Sequence, residues 1–489
     1  VRWQLAIAAA LAVLVAWSFA ERWDVLSASP FPLGVDGYFY PIELRSLLEH
    51  GSLQYRASPL TLWWMLPFAA ATDPITGAKL GAALGGALIA LPAYGVGARL
   101  GRSRVAGLVA AAVATSSAGS AYLSIEFVKQ GIGLTVALAA LWAVLRAAEK
   151  PSRGRLAAAG AAVLAALLAH KLAAALVVAI AVPLAIEEAR GRGALRGRRL
   201  LYLLGALVAL GIGLIVLGAI APQRFASLGD LALLGDTLTT HARWDGAALA
   251  APRIMLDHEA MIGAVLALAA GAALVLVRDR SPAERVAAWA FVVLALVIGL
   301  PWLAVGDAQG LGMRLRISAF VPLAMCAAIV AGAIRARFEH ELGLYIAAAL
   351  VLVVPRDRAE GRVLAHPALI ASALALSDHV PAGATVIVPE RHVEFMIAWY
   401  TRANVSARPE RVPYPQRVRV VLPLSSAATN FPLEGAIDTA RADPQLDPPL
   451  GLHPRHRNGF VLVSEPTWDW ILARLPDRSH RHWAAWPTI

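Results

Sequence analysis

From Gln4 to Pro355 the chain is a succession of apolar runs separated by short basic clusters, and that alternation decides most of what it can fold into. A helix needs roughly 20 apolar residues to cross the hydrocarbon of a bilayer. Runs near that length lie at 4–20, 78–98, 105–122, 128–147, 155–169, 172–187, 199–220, 259–277, 286–304, 316–334 and 342–355. They predict about eleven transmembrane helices. Composition agrees: 58% of residues are hydrophobic and only 16% charged, where a soluble domain carries about 25% charged residues to cover its surface. The net charge is +11. Its basic residues sit in clusters between apolar runs, the pattern that orients membrane proteins, so no nucleic-acid partner is expected. The single cysteine, Cys326, lies inside an apolar run, so no intramolecular disulfide can form.

The clusters at Arg99–Arg104, Arg146–Arg155, Arg190–Arg199, Arg278–Arg285 and Arg335–Arg337 are each separated from the next by two runs, so all can be cytoplasmic. Arg2 puts the N-terminus on the same side, which leaves room for two crossings before Arg99. The short run 60–71 then cannot cross. It follows Pro59, contains Pro67 and carries Trp63 and Trp64, and it predicts a helix lying on the outer surface. The first run also fits a signal peptide, with Ser18-Phe19-Ala20 as a loose cleavage site. On the outer side this topology leaves a first loop at 21–77, a short loop around Glu126 and the turn His170-Lys171. It also leaves loops at 221–258 and 306–315, and everything after 355.

The last part changes character. Short β-branched runs (384–388, 418–422, 460–463) alternate with amphipathic stretches (393–400, 468–475), which predicts a small α/β domain over 356–489 after a membrane domain over 1–355.

The first outer loop reads FPLGVDGYFYPIELRSLLEHGSLQYRASPLTLWW. Asp36 precedes Gly37, a turn signal in its own right. Residues 40–50 set Ile42, Leu44, Leu47 and Leu48 against Glu43, Arg45 and Glu49, and Gly51 has the position of a C-cap glycine. Tyr55, a Ser-Pro and the aromatic segment follow. An early acid, an amphipathic helix ending in Gly, a Tyr, a Pro-Leu and an aromatic helix before the second span: this order resembles the first outer loop of GT-C glycosyltransferases. That superfamily includes protein mannosyltransferases, aminoarabinose transferases and oligosaccharyltransferases. The resemblance extends to the many-span body and the outer C-terminal domain.

The resemblance implies an all-α polytopic membrane domain followed by a small α/β extracytoplasmic domain, in the cytoplasmic membrane. It implies transfer of a sugar from a polyprenyl-phosphate-linked donor to a glycan, lipid or protein acceptor. Asp36 maps onto the family's first catalytic acid and Glu126, in SIEFVKQG, onto the second, where the family more often has Asp. A carboxylate suits acceptance of the acceptor's proton. Arg and Lys suit the phosphate that gains charge as it leaves. Candidate substrate-binding residues are Arg45, Tyr55, Lys79, Lys129, His170, Lys171, Arg314 and Arg316. Arg314 leads, because GMRLRISAFVPLA resembles the family's Arg-bearing entry to a late helix. A divalent ion, Mg²⁺ or Mn²⁺, held by Asp36 and Glu126 is compatible with the resemblance.

Each residue also has a plainer reading. Asp36 fits a turn, Glu126 and Lys129 fit an i,i+3 surface pair, and Lys79 fits a membrane boundary marker. His170-Lys171 fits a turn with Lys171 snorkelling to headgroups. The loop with Asp230, Asp236, His241, Asp245, Asp257, His258 and Glu259 reads either as a lid or as a linker. Two other functions compete: a transporter or flippase of lipid-linked glycans, and an inactive GT-C relative. Against transport, the spans lack paired Gly/Pro-broken helices in matching halves.

Overall fold

The computed structural model describes residues 2–191 apart from 35 and 56, then 255–276, 280–299 and 311–338. In the C-terminal part it describes 384–388, 391–406, 417–421, 450–451 and 461–464, with a few short pieces besides. The chain divides into two compact units: Val1–Ala28, Tyr55–Thr72 and Thr76–Glu360 form the first, and Ser29–Gln54, Asp73–Ile75 and Gly361–Ile489 the second.

The first unit is helical. It contains α1 (Arg2–Ser27), α3 (Leu60–Ala71), α4 (Pro74–Ala87), α5 (Ala90–Leu100), α6 (Arg104–Ser116), α7 (Ala118–Leu123) and α8 (Val128–Glu149). After these come α9 (Arg153–Ala169), α10 (Lys171–Gly191), α11 (Met255–Leu276), α12 (Pro282–Gly299), α13 (Leu311–Ile317) and α14 (Phe320–Arg337). Among the described residues six stretches are long and apolar enough to cross a membrane: Trp3–Ser27, Pro74–Leu100, Val128–Glu149, His258–Leu276, Pro282–Gly299 and Arg314–Arg337. The apolar run at 105–122 is divided at Ser117, whose backbone is extended and whose hydroxyl caps α7 by accepting the N–H of Ser120. The run at 199–220 lies largely, and that at 342–355 wholly, outside the described residues.

The short run at 60–71 forms a helix that packs on another helix of this unit. As α3 it runs antiparallel along the first half of the Pro74–Leu100 stretch. Trp64 Nε1 donates to the carbonyl of Gly81 at 2.9 Å. Ala69 and Met65 occupy the space where side chains on Gly77 and Gly81 would be. Small residues on α4 allow this approach, while twelve residues remain too few to cross alone.

Basic side chains tie one end of this unit together. Arg99 pairs with Glu149 through two bonds, at 2.7 and 3.2 Å. Arg280 donates to the carbonyl of Leu100, Arg335 to Ser103 Oγ at 2.7 Å, and Arg155 to the carbonyl of Lys150 at 3.1 Å. The basic residues at 99–104, 146–155, 280–285 and 335–337 thus share an end. Lys129 and Glu149 stand at opposite ends of α8, roughly 30 Å apart at 1.5 Å per residue.

In the second unit a five-stranded sheet has the order β2-β1-β3-β5-β4. Strand β1 (Thr385–Ile387) is parallel to β2 (Asn404–Ser406) on one side and to β3 (Arg417–Val421) on the other. β5 (Val461–Ser464) runs antiparallel to β3 and to β4 (Leu450–Gly451). The helix α15 (Arg391–Thr401) makes the crossover from β1 to β2 that a parallel pair requires.

The first-loop helix α2 (Phe39–His50) packs on α15. Gly51 ends α2 at φ 68° and donates to the carbonyl of Leu47, the left-handed cap expected of it. The Tyr38 and Tyr400 hydroxyls are 3.2 Å apart, and the Phe39 and Phe395 rings meet at 5.2 Å. Burial and the bond to Tyr400 both push the Tyr38 phenol upward. The Arg45 guanidinium lies 4.4 Å over the Trp399 ring and donates to the Trp399 carbonyl at 3.0 Å. Glu43, expected on a solvated face, is fully buried and accepts the N–H of Gln54 at 3.0 Å. Removing the Trp399 ring by Trp399→Ala deletes a cation–π contact of ~0.5–2 kcal/mol together with its apolar area. Tryptic cleavage at Arg45 should then rise several-fold; an unchanged cleavage rate would mean that α2 is held elsewhere.

Candidate functional site

The residues on and around the loop that carries Glu126 are held from three directions by buried polar side chains. From α1, Arg22 is 5% exposed and donates to Ser120 Oγ at 2.7 Å, to Ser124 Oγ at 2.9 Å and to the Thr115 carbonyl at 3.3 Å. It also bonds Ser18 through the carbonyl and the hydroxyl. From α11, Glu259 is fully buried and accepts the N–H groups of Ala118 and Gly119, the latter at 3.0 Å. From the start of α8, Gln130 Nε2 donates to the Arg314 carbonyl at 3.0 Å and to Ser318 Oγ at 2.8 Å, fixing α13 against α8. Glu126 itself sits half-buried in the turn between α7 and α8, its N–H bonded to the Tyr122 carbonyl at 2.9 Å.

His170 follows α9 in an extended conformation, and its Nδ1 accepts the N–H of Leu172 at 3.2 Å, capping the start of α10. That bond leaves the ring proton on Nε2 in the neutral form. Burial, then the like charges of Arg314, Lys129 and Lys171, push the imidazolium down to about 3. The charges that act on the ring come from separate elements: Lys129 from α8, Lys171 from the start of α10 and Arg314 from α13. The Arg314 guanidinium also lies 5.0 Å over the Phe127 ring, a cation–π contact. The capping role gives a stability prediction. His170→Ala should cost about 1 kcal/mol of cap energy and lower Tm, whereas His170→Asn, which keeps a cap acceptor, should melt near the wild type.

Arg316, two positions beyond Arg314 on the same helix, is 7% exposed, and Lys79 is buried within α4. Tyr55 is half-buried before α3, and Arg45 is engaged with Trp399. Asp36 belongs to the second unit. Its carbonyl accepts the N–H of Phe39 at 3.0 Å, and Gly37 N–H bonds the Gly34 carbonyl at 3.1 Å, so the expected Asp-Gly turn is formed. Sequence reading passed over Arg22 and Gln130 and placed Glu259 in a loop. The signal for Arg22 was an ionisable residue just past the first apolar run, which extends as helix to Ser27. Most of the supposed loop lies outside the described residues; Glu259 is inside α11.

Among the described residues no group of three or more His, Cys, Asp or Glu side chains comes together to hold a metal ion. Asp36 and Glu126 alone make a poor donor set for Mg²⁺ or Mn²⁺, which take six oxygens and bind through carboxylates plus substrate. No step is assigned to a metal.

Six stretches long and apolar enough to cross a membrane, among the described residues, go with a fold similar to that of solved oligosaccharyltransferases, the GT-C fold. Residues 57–218 match the family described as dolichyl-phosphate-mannose-protein mannosyltransferase. The apo oligosaccharyltransferase of Archaeoglobus fulgidus is similar in structure, with a TM-score of 0.54 and 12% identity over 83% of this chain and 65% of that one. The oligosaccharyltransferase AglB of the same organism, in complex with an inhibitory peptide and a dolichol-phosphate, gives 0.52 and 12% over 83% and 64%. The chain thus spans just under two thirds of the length of these archaeal proteins. ArnT from Cupriavidus metallidurans, in the apo state, covers 93% of this chain and 98% of its own at 17% identity, with a TM-score of 0.41. No curated protein matches the chain in sequence.

Proposed function

We propose that the protein is a membrane glycosyltransferase that moves a sugar from a polyprenyl-phosphate-linked donor to an acceptor on the outer face of the cytoplasmic membrane. The observation that carries this reading is the convergence of Lys129, Lys171 and Arg314 on His170 at the end of the unit away from the basic clusters. Basic clusters mark the cytoplasmic side, so the cation site falls on the outer side, with the N-terminus cytoplasmic and the domain over 356–489 extracytoplasmic. The dolichol-phosphate bound to AglB is a ligand of the same chemical class.

In the reaction the bond between the sugar's anomeric carbon and the donor phosphate oxygen breaks, and the electron pair leaves with the polyprenyl phosphate. Lys129, Lys171 and Arg314 stabilise the charge that develops there, and His170 donates its Nε2–H to the same phosphate. The acceptor oxygen or nitrogen bonds the anomeric carbon from the opposite face, with inversion. Asp36 takes its proton, and Glu126 orients the acceptor.

The test is mass spectrometry of lipid extracts from cells lacking the protein. A polyprenyl-phosphate-linked sugar should accumulate, and purified protein should convert it to free polyprenyl phosphate when an acceptor is present. Extracts indistinguishable from wild type would overturn the reading.

A further inference from the structure

Glu259 is a fully buried carboxylate within a stretch apolar enough to span a membrane. Its two oxygens accept the N–H groups of Ala118 and Gly119, at the start of α7. A polar group taken out of water costs free energy unless it is hydrogen-bonded, and here both oxygens are. Ser117 caps α7 at the Ser120 N–H, and Glu259 takes the two N–H groups before it. The consequence lies one contact further on. A Cβ on Gly119 would stand 2.3 Å from the carbonyl oxygen of Ile317 and 3.1 Å from Glu259 Oε2. Gly119 is therefore wedged between the carboxylate and the last residue of α13, and Arg314 lies one turn earlier on that helix. On its other side, α13 is fixed by the Gln130 bonds to the Arg314 carbonyl and Ser318, and Gln130 adjoins Lys129.

We propose that Glu259 is a positioning residue for the Lys129–His170–Lys171–Arg314 cluster, acting through Gly119 on α13. Its role is to hold the Arg314 backbone at the distance from His170 that a lipid phosphate requires. The proposal rests on the phosphate-binding reading above. Glu259→Gln keeps the size of the side chain but leaves a single acceptor oxygen for two N–H groups. Its amide –NH₂ then faces the second one.

The experiment compares binding of undecaprenyl phosphate and of undecaprenol, the same lipid without phosphate, to the full-length protein in micelles. The readout is the ratio of the two Kd values, which reports the phosphate alone. A loss of general stability would weaken both lipids together and leave the ratio unchanged. In Glu259→Gln the ratio is expected to fall about tenfold, the equivalent of one charge-assisted hydrogen bond. In Glu259→Asp, which keeps the charge on a shorter arm, it should fall less. Wild-type protein that does not prefer the phosphate lipid would overturn the phosphate-binding reading and this proposal with it. Wild-type preference retained in full by folded Glu259→Gln would overturn the role of Glu259 alone.

Discussion

Asp36→Asn is expected to lower the rate of sugar transfer by about 10²–10⁴-fold, the usual contribution of a general base, while leaving the fold intact. The substitution separates chemistry from structure because of where Asp36 sits. Its backbone forms a turn closed by Gly37 N–H on the Gly34 carbonyl and Phe39 N–H on its own carbonyl, and Asn suits such a turn as well as Asp does. The turn leads directly into α2, which Tyr38, Phe39 and Arg45 hold on α15. The asparagine side chain should occupy the same place without being able to take a proton. Tm and polyprenyl-phosphate binding should match wild type, because the proposed phosphate ligands are Lys129, His170, Lys171 and Arg314. Transfer at the wild-type rate by Asp36→Asn would remove the assigned role.

The spans were legible because a bilayer imposes one length and one polarity on every crossing. The runs at 128–147 and 316–334 lie within α8 and, apart from the short break that separates it from α13, α14. The strands were legible for a similar reason: β-branched runs at 384–388 and 418–422 contain or overlap β1 and β3. What the sequence hid were pairings between distant residues. Nothing local in FYPIELRSLLEH says that its partner is Trp399, more than 350 positions away. The packing of 60–71 on α4 was hidden for the same reason, since the groove made by Gly77 and Gly81 appears only once α4 is a helix. Arg22, Gln130 and Glu259 escaped because each is a single polar residue whose meaning lies in backbone groups it meets across the fold. His170 and Arg314, by contrast, stood out as ionisable residues at the ends of apolar runs, and the Arg314 charge acts on the buried His170 ring.

Arg314→Ala should raise Kd for undecaprenyl phosphate by about 10–100-fold, from the loss of a charged hydrogen bond of ~1.5–3 kcal/mol. The fold should survive, because α13 is anchored through the Arg314 carbonyl, which accepts from Gln130 at 3.0 Å and from Ser318 Oγ at 2.9 Å. Truncating the side chain leaves both bonds in place and forfeits the contact with Phe127. Arg314→Lys keeps the charge but loses the planar fork that fits phosphate, so its Kd should fall between the two. Arg316 is the control: it lies on the same helix at 7% exposure, turned to a different side. Arg316→Ala should reduce Tm more than it changes Kd. Equal Kd values for wild type and Arg314→Ala, measured on folded protein, would detach Arg314 from the lipid phosphate and leave the cation cluster a structural feature only.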